Sequence, residues 1–383
     1  MQEGQVTQPA RADLLGVFRG TRYSWWILII FAILAAISLV AVYSATEGLA
    51  YRIRGGNTFY YLRTQLSMLL LSVGAMLFVQ LLPRELLRGL AAFGLIFSFV
   101  LLLLTLFTGA EANSARRWIS IMGTRLTTAD IVRVPVLVYL AAYIAAKQDV
   151  IGSFSKGVLK VALILGAICF LVSSSLLTSL IFALTGAAML LMGRVRFIHI
   201  LCVGVVGVLA LALGMMLKQS TGLEDRSGTH RSRLENFWAG TGDQALKAKM
   251  AVANGTFLGQ GVGDSKLRST LPESHNDFIY AVIIEESGLL GMVAIPTLYF
   301  LLVLAIYQIA TQSSNLFDQL LCAGVALSIG LQAFFHMLIT VGLLPVTGVP
   351  LPLVSLGGTS IIATGAALGL VLRVSHDVRE QEG

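Results

Sequence analysis

Leu86-Leu-Arg-Gly-Leu-Ala-Ala-Phe-Gly-Leu-Ile-Phe-Ser-Phe-Val-Leu-Leu-Leu-Leu-Thr-Leu-Phe107 carries a single charge, Arg88. At 1.5 Å per residue, a helix of this length covers about 33 Å, enough to cross a hydrocarbon layer about 30 Å thick. The rest of the chain repeats the pattern. Hydrophobic residues make up 56% of 383 and charged residues only 12%, against about 25% charge in soluble domains. Apolar runs are expected to span at Trp25–Ser44, Gln65–Leu82, Leu86–Phe107, Ile131–Ala146, Val158–Val172, Leu176–Met192, Ile198–Leu217, Phe278–Ala305, Phe317–Thr340 and Ser360–Leu372. The fold class is therefore an all-α polytopic membrane protein of about ten transmembrane helices. A stretch of roughly 36 residues from Gly157 to Gly193 is too long for one crossing, so Ser173-Ser-Ser175 is taken as a break between two spans.

An even number of spans puts both termini on one side. With that side inside, the short cytoplasmic segments carry twelve basic residues and the short outer loops six, in line with the positive-inside tendency. Residues 1–23 are then a cytoplasmic lead-in, 24–373 the membrane domain and 374–383 a cytoplasmic tail. A large extracytoplasmic loop, 218–276, joins helices 7 and 8. It carries eight basic residues, either as a solvated surface or as one that attracts anionic lipid head groups or diphosphates. No apolar stretch with a small-residue cleavage site precedes the first span. Cys169, Cys202 and Cys322 lie in apolar segments and are expected to be small buried side chains.

Three stretches carry chemistry. In Leu271-Pro-Glu-Ser-His-Asn-Asp277-Phe-Ile-Tyr-Ala, a polar loop runs into an apolar helix. Asp277 falls at the helix mouth, where a carboxylate is either an N-cap or a functional group facing a cavity. The second stretch is the loop before the fourth span, with Arg116, Arg117 and Trp118, followed by Thr127-Thr-Ala-Asp130. Thr127 and Asp130 have capping-box spacing with Asp in place of Glu. Asp130 and Arg133 share a helix face and can pair, either as a structural ion pair or at a substrate cavity. Arg116, Arg117 and Trp118 suit a lipid-level anchor or a diphosphate clamp. The third stretch, Gly342 to Ser360, has three prolines and four glycines, so it cannot form a regular helix, yet it is apolar and lies between spans. Irregular backbone at membrane depth is tolerated only inside protein or beside a cavity.

Other patterns lack context. Gly259-Gln-Gly-Val-Gly263 follows no strand, so a flexible loop is the expectation rather than a dinucleotide turn. Asn254-Gly-Thr256 fits the glycosylation pattern, a frequent coincidence. His230, His275 and His336 have no Cys or His at metal-ligand spacing, so no protein metal site is expected. Glu285 lies eight residues from Asp277, about 12 Å along a helix, which argues against a glycosidase carboxylate pair.

The chain resembles the SEDS family, polytopic bacterial proteins of cell-wall synthesis that include FtsW and RodA. The likeness runs from Val42-Tyr-Ser-Ala45 to Gly369 and is carried by Ala115–Trp118, by Leu271–Ala281 with Glu285-Glu286-Ser-Gly288, and by Leu344–Ser360. It implies a ten-helix fold and a glycosyltransferase that polymerises lipid II with a class B penicillin-binding protein and, in division, other membrane proteins of that complex. It implies Asp277 as the essential aspartate, with Arg116, Arg117, Trp118, Asp130, Arg133 and His275 on the substrate side. It implies no organic cofactor and no nucleic acid, and it leaves room for magnesium or manganese. The short termini and the Arg-rich first loop look more like the FtsW division type than the RodA elongation type. A lipid II flippase and a non-catalytic scaffold are the rival classes. The chain departs from the family pattern at Thr127-Thr-Ala-Asp130 (usually Gln-Pro-Ser-Glu), at Arg133 (usually Lys), and at Ser173–Thr178, where the family's aspartate is missing. It departs also at His336, Leu353, Leu356 and Thr359.

Overall fold

The structure is a computed structural model. It describes residues 21–53, 55–108, 110–112, 115–121, 124–152, 154–172, 175–205, 207, 227–266, 268, 270–271 and 273–382. The N-terminal lead-in up to residue 20, most of the seventh expected span and part of the Ser173–Ser175 break lie outside these residues.

Among the described residues, seven helices are long and apolar enough to cross a membrane. In chain order the helices begin with α1 (Arg22–Ala45), the short α2 (Glu47–Ile53), α3 (Phe59–Gln80), α4 (Arg84–Thr108) and α5 (Thr128–Ala146). Next come α6 (Gln148–Ile151), α7 (Leu159–Leu171) and α8 (Leu176–Met192). The large loop supplies α9 (Ser227–Ala239) and α10 (Asp243–Asn254). They are followed by α11 (Ile279–Ser287), α12 (Leu289–Gln312), α13 (Leu316–Thr340) and α14 (Gly358–Glu382). The spanning helices are α1, α3, α4, α5, α12, α13 and α14; α7 and α8 are shorter and equally apolar. These two are separate helices, tied across their junction by Ser179 Oγ donating to the Cys169 carbonyl at 2.9 Å. Residues 197–205 are helical where the seventh span was expected to begin.

The centre of the bundle is α14, whose apolar window is 78% buried, against 22% for α3. The two pack closely because Gly365 and Gly369 come up one turn apart against the Ser72 and Met76 backbone, where a Cβ would fall within 3.0 Å. Large apolar side chains of α3 and α4 such as Leu70, Phe78, Phe93 and Phe107 point outward, as lipid-facing residues do. Thr21 donates its N–H to Ser375 Oγ at 3.0 Å, so the start of α1 and the end of α14 lie at the same end of the bundle. At that end Arg84 bridges Asp318 (3.3 Å) and Asp377 (3.0 Å), joining the starts of α4 and α13 to α14.

Four local features differ from the sequence expectation. The loop before α5 is not helical or irregular: β1 (Ala110–Ala112), β2 (Ala115–Ile121) and β3 (Thr124–Thr127) form an antiparallel sheet in the order β1-β2-β3. The β-branched and aromatic residues Trp118, Ile119, Ile121, Thr124 and Thr127 favour extended backbone here. The expected span Phe278–Ala305 is cut at Gly288, whose φ is +61°. The segment 374–382 is no tail but the last turns of α14, with Ser375, Asp377 and Val378 buried. Finally, Cys169 and Cys322 are buried but Cys202 is exposed.

The cut at Gly288 has a cause. Gln260 and Gly261 donate backbone N–H groups to the Glu285 and Glu286 carbonyls at 2.9 and 3.0 Å. A Cβ at Gly259 or Gly288 would run into the other strand of this contact at less than 3.0 Å. Gly259-Gln-Gly-Val-Gly263 is therefore a fixed wedge rather than a flexible loop. Its glycines allow backbone to touch backbone.

Candidate functional site

The segment between α13 and α14 passes through the bundle without regular structure, with Leu351, Leu353 and Val354 at most 1% exposed. Buried carbonyls need partners, and here side chains of the surrounding helices provide them. Ser38 of α1 donates to the Val354 carbonyl (2.9 Å) and Gln65 of α3 to that of Ser355 (3.4 Å). Tyr299 of α12 donates to Pro352 O, and Gln332 of α13 to Pro350 O (2.9 Å). His336 Nδ1 lies 2.8 Å from the Val349 carbonyl, which makes Nδ1 the protonated nitrogen. Prolines at 345, 350 and 352 suit such a path because each removes one N–H that would need its own acceptor.

This segment fastens the turn that carries Asp277. Ser355 Oγ accepts from Leu351 N (2.8 Å) and donates to the Asn276 carbonyl (2.7 Å), while Leu356 N donates to the His275 carbonyl (3.0 Å). On its own side the turn closes on the Glu273 carbonyl, which accepts from the N–H groups of Asn276, Asp277 and Phe278. The N-cap position of α11 falls on Phe278, not Asp277. Asp277 is half-buried, one residue before that N-cap. Burial pushes the pKa of His275 down, while Glu273, 3.7 Å from Nε2, pulls it up less strongly. His275 beside Asp277 is thus a neutral imidazole at neutral pH.

Two further clamps hold the approach to the turn. Arg268 pairs with Glu47 of α2 and donates to Ser44 Oγ of α1 at 3.0 Å. Ser44 in turn donates to Glu286. Glu285 accepts from Ser265, from Asn254 Nδ2 (3.2 Å) and from Lys266 N (3.3 Å). Glu285 is thereby committed to holding the large loop. Phe278 and Ala281 of the Asp277 region join Ala248 and Ala251 of α10 in a small apolar core.

Asp130 and Arg133 form a second polar centre, on α5. Arg133 donates to Gln332 Oε1 and to Thr364 Oγ1 (3.1 Å), and Thr359 Oγ1 donates to Asp130 at 3.5 Å. Both charged residues are buried, at 9% and 5% exposure. They line a cavity of about 80 Å³ between α5, α8, α13 and the irregular segment, with Ser175, Thr185, Gln332 and Val349 in its wall. Thr127 occupies the N-cap position of α5, but its side chain makes no cap bond, so the capping box is not formed. Its N–H goes instead to Thr359 Oγ1 at 3.1 Å.

Of the sequence-predicted residues, His275 and Asp277 share one turn and Asp130 and Arg133 share the cavity. Trp118 is paired in register with Thr127 at the start of α5. The backbones of Arg116 and Arg117 lie on β2, and their side chains fall outside what the structure describes. The two centres are joined through Gln332, which accepts from Arg133 and donates to Pro350 of the segment that holds the Asp277 turn. Gln332, Ser355 and Thr364 were not picked out from sequence. For Gln332 a signal existed, an amide inside an apolar span.

A multi-pass helical bundle with irregular, side-chain-satisfied backbone at its core defines a class: polytopic integral membrane proteins with a polar site built among their helices. Within that class, the sequence model of the FtsW, RodA and SpoVE family of cell cycle proteins matches residues 24–380, and the chain belongs to this family. It is 32% identical to the probable peptidoglycan glycosyltransferase FtsW of Geobacter sulfurreducens over 364 residues, 92% of this chain and 95% of that one. It is likewise 32% identical to the probable peptidoglycan glycosyltransferase FtsW of Alkalilimnicola ehrlichii, over 98% and 95% of the two chains. Among solved structures it resembles a chain of a peptidoglycan synthase complex that coordinates polymerization and crosslinking, with TM-score 0.72, 26% identity, and 92% and 98% of the chains covered. It also resembles the rod shape determining protein RodA of Thermus thermophilus, with TM-score 0.66, 25% identity, and 92% and 96% covered.

Proposed function

We propose that the protein is a peptidoglycan glycosyltransferase of the division type, polymerising lipid II at the outer face of the cytoplasmic membrane. The observation that carries this is the fastening of the His275–Asp277 turn to the irregular segment, which leaves Asp277 half-buried beside a polar loop. In the reaction the 4-hydroxyl of one sugar attacks the anomeric carbon of a diphosphate-linked donor. A new C–O bond forms, the bond from that carbon to the diphosphate oxygen breaks, and the hydroxyl proton passes to the Asp277 carboxylate. A positioned base of this kind is worth about 10²–10⁴ in rate. The leaving diphosphate takes up negative charge, which cations stabilise. Arg116 and Arg117 are assigned to it, since Arg133 is already shared between Gln332 and Thr364. Trp118 and His275 are assigned to the sugar and lipid portions of the substrate.

In this reading both termini are cytoplasmic and the loop carrying α9 and α10 is outside, in keeping with the charge asymmetry of the short loops. The partner is a class B penicillin-binding protein together with other division proteins. No organic cofactor is assigned. Among the described residues, the one cluster with metal-ligand geometry, His376, Asp377 and Glu380, lies near the C-terminal end of α14. That is twenty residues, or about 30 Å of helix, beyond Leu356 at the Asp277 turn. A divalent cation (magnesium or manganese) is assigned to the substrate diphosphate.

Purified protein with its partner, given lipid II, tests the reading. Wild-type protein should yield glycan polymer, and Asp277→Asn should yield at least about 10²-fold less. Near-wild-type polymer from Asp277→Asn removes the base from the mechanism. Movement of labelled lipid between leaflets without polymer marks a flippase instead.

A further inference from the structure

The wedge at residues 255–263 presents its largest apolar side chains outward. Phe257 is 78% exposed, Leu258 90% and Val262 69%. Such exposure is unusual in a turn whose backbone is so well fixed. Gly259 N donates to Gly255 O at 2.8 Å, Gln260 Nε2 to Asn254 O at 2.6 Å, and the Phe257 carbonyl accepts from Leu289 N at 3.2 Å. That last bond fixes the depth of the turn. Leu289 is the first residue of α12, a 24-residue span, so Phe257 caps a transmembrane helix with its own backbone. The first turns of α12 show Leu290 (75% exposed) and Val293 (56%) on their outer face. The apolar tip therefore stands beside the exposed apolar start of a membrane-spanning helix.

We propose that the 256–262 turn is an interfacial anchor, with Phe257, Leu258 and Val262 entering the lipid leaflet at the first turn of α12. The occupant is lipid because the tip stands at the boundary between head groups and acyl chains, where apolar side chains on a polar scaffold bury to a depth of about 5–10 Å. Contiguous apolar patches of this kind facing water are rare and mark an interaction surface. The anchor would hold the loop bearing α10, and through it the Asp277 turn, at a fixed height above the bilayer. The proposal goes beyond glycosyl transfer and rests only on α12 crossing the membrane.

The test uses the full chain in vesicles of phosphatidylethanolamine and phosphatidylglycerol. Leu258→Cys is made in a Cys202→Ser background, which leaves only the buried Cys169 and Cys322. A nitroxide label at 258 is then compared with one at Leu290→Cys, on α12, and one at Glu235→Cys, on the exposed face of α9. Collisions with oxygen, which concentrates in hydrocarbon, are measured against collisions with a water-soluble nickel chelate. The expected result is an oxygen-dominated ratio at 258 that matches 290 and exceeds 235 several-fold. A nickel-dominated ratio matching 235 overturns the proposal. Shielding that appears only with added transpeptidase, or spin–spin broadening that grows with protein density, overturns it in favour of a protein partner or a second copy. Because Leu258 is almost fully exposed, its replacement removes no packing, and unchanged elution of the labelled protein separates insertion from misfolding.

Discussion

Asp130 and Asp277 each stand where a polar loop enters an apolar helix, and the fold treats them in opposite ways. Asp130 is enclosed, with Thr359 as its donor and the charge of Arg133 acting on it from beyond ion-pair distance, while Arg133 gives its hydrogen bonds to α13 and α14. Asp277 lies outside the N-cap of its helix, half-buried, on a turn whose backbone is pinned. A buried pair resists any change in its charges, because removing one partner leaves the other without compensation. A half-buried carboxylate can exchange a proton with a substrate. The same residue type is thus enclosed in one place and, in the proposed mechanism, placed to take a proton in the other.

Substitutions that separate activity from stability put this contrast at risk. The largest expected effect is that of Asp277→Asn, which should lower polymerisation by at least about 10² while thermal unfolding in detergent stays within a degree or two, about the shift expected from less than 1 kcal/mol. If Asp130→Asn gives the same pattern, the two centres are not distinct. Arg133→Met should instead destabilise the protein by about 3–5 kcal/mol, because it strands the Asp130 charge. Adding Asp130→Asn should recover much of that loss in denaturant unfolding, and failure to recover it would mean that the pair is not coupled. Gly259→Ala should cost about 1–3 kcal/mol, since its φ of +79° and its approach to the Glu286 carbonyl both exclude a side chain. Limited proteolysis between residues 254 and 268 reads that loosening directly. Thr359→Val should cost about 1–2 kcal/mol by leaving Thr127 N and Asp130 each short of a partner, whereas Thr359→Ser should be near neutral.

The smallest effect is that of pH on His275. Burial lowers its folded pKa below the ordinary value of 6.5, so the unfolded chain takes up the proton first. Its contribution to stability is complete above about 6.5 and is lost as pH falls from there through the folded pKa. His275→Gln should flatten that acid limb of the unfolding curve, and an unchanged limb would place the titration elsewhere.

Seven of the spans were legible because a 20-residue apolar run has few other uses, and the separation of α7 from α8 followed from length alone. Asp277, His275, Asp130 and Arg133 stood out for a related reason, as polar groups beside hydrocarbon. What escaped was set by contacts between distant parts of the chain. Nothing local to Gly288 says that a second glycine, 29 residues earlier, will press against it. Hydropathy saw Phe278–Ala305 as continuous because both halves are apolar. The sheet at 110–127 was hidden by shortness, and the end of α14 by its charges, of which Asp377 finds Arg84 only in three dimensions. Gln332 was passed over because one amide in a helix gives no hint that it will join two sites.

The irregular segment also sets an order of assembly. Its carbonyls are claimed by side chains of α1, α3, α12 and α13, and its own Ser355 holds Asn276, 79 residues upstream. During synthesis, therefore, the Asp277 turn emerges long before the residues that fasten it. The earlier helices can insert and pair, but the Asp277 turn has no fixed position until Ser355 and its neighbours have left the ribosome and threaded among helices already in place. A nascent chain interrupted before Ser355 would be a membrane protein in every outward respect, with its Asp277 turn unfastened.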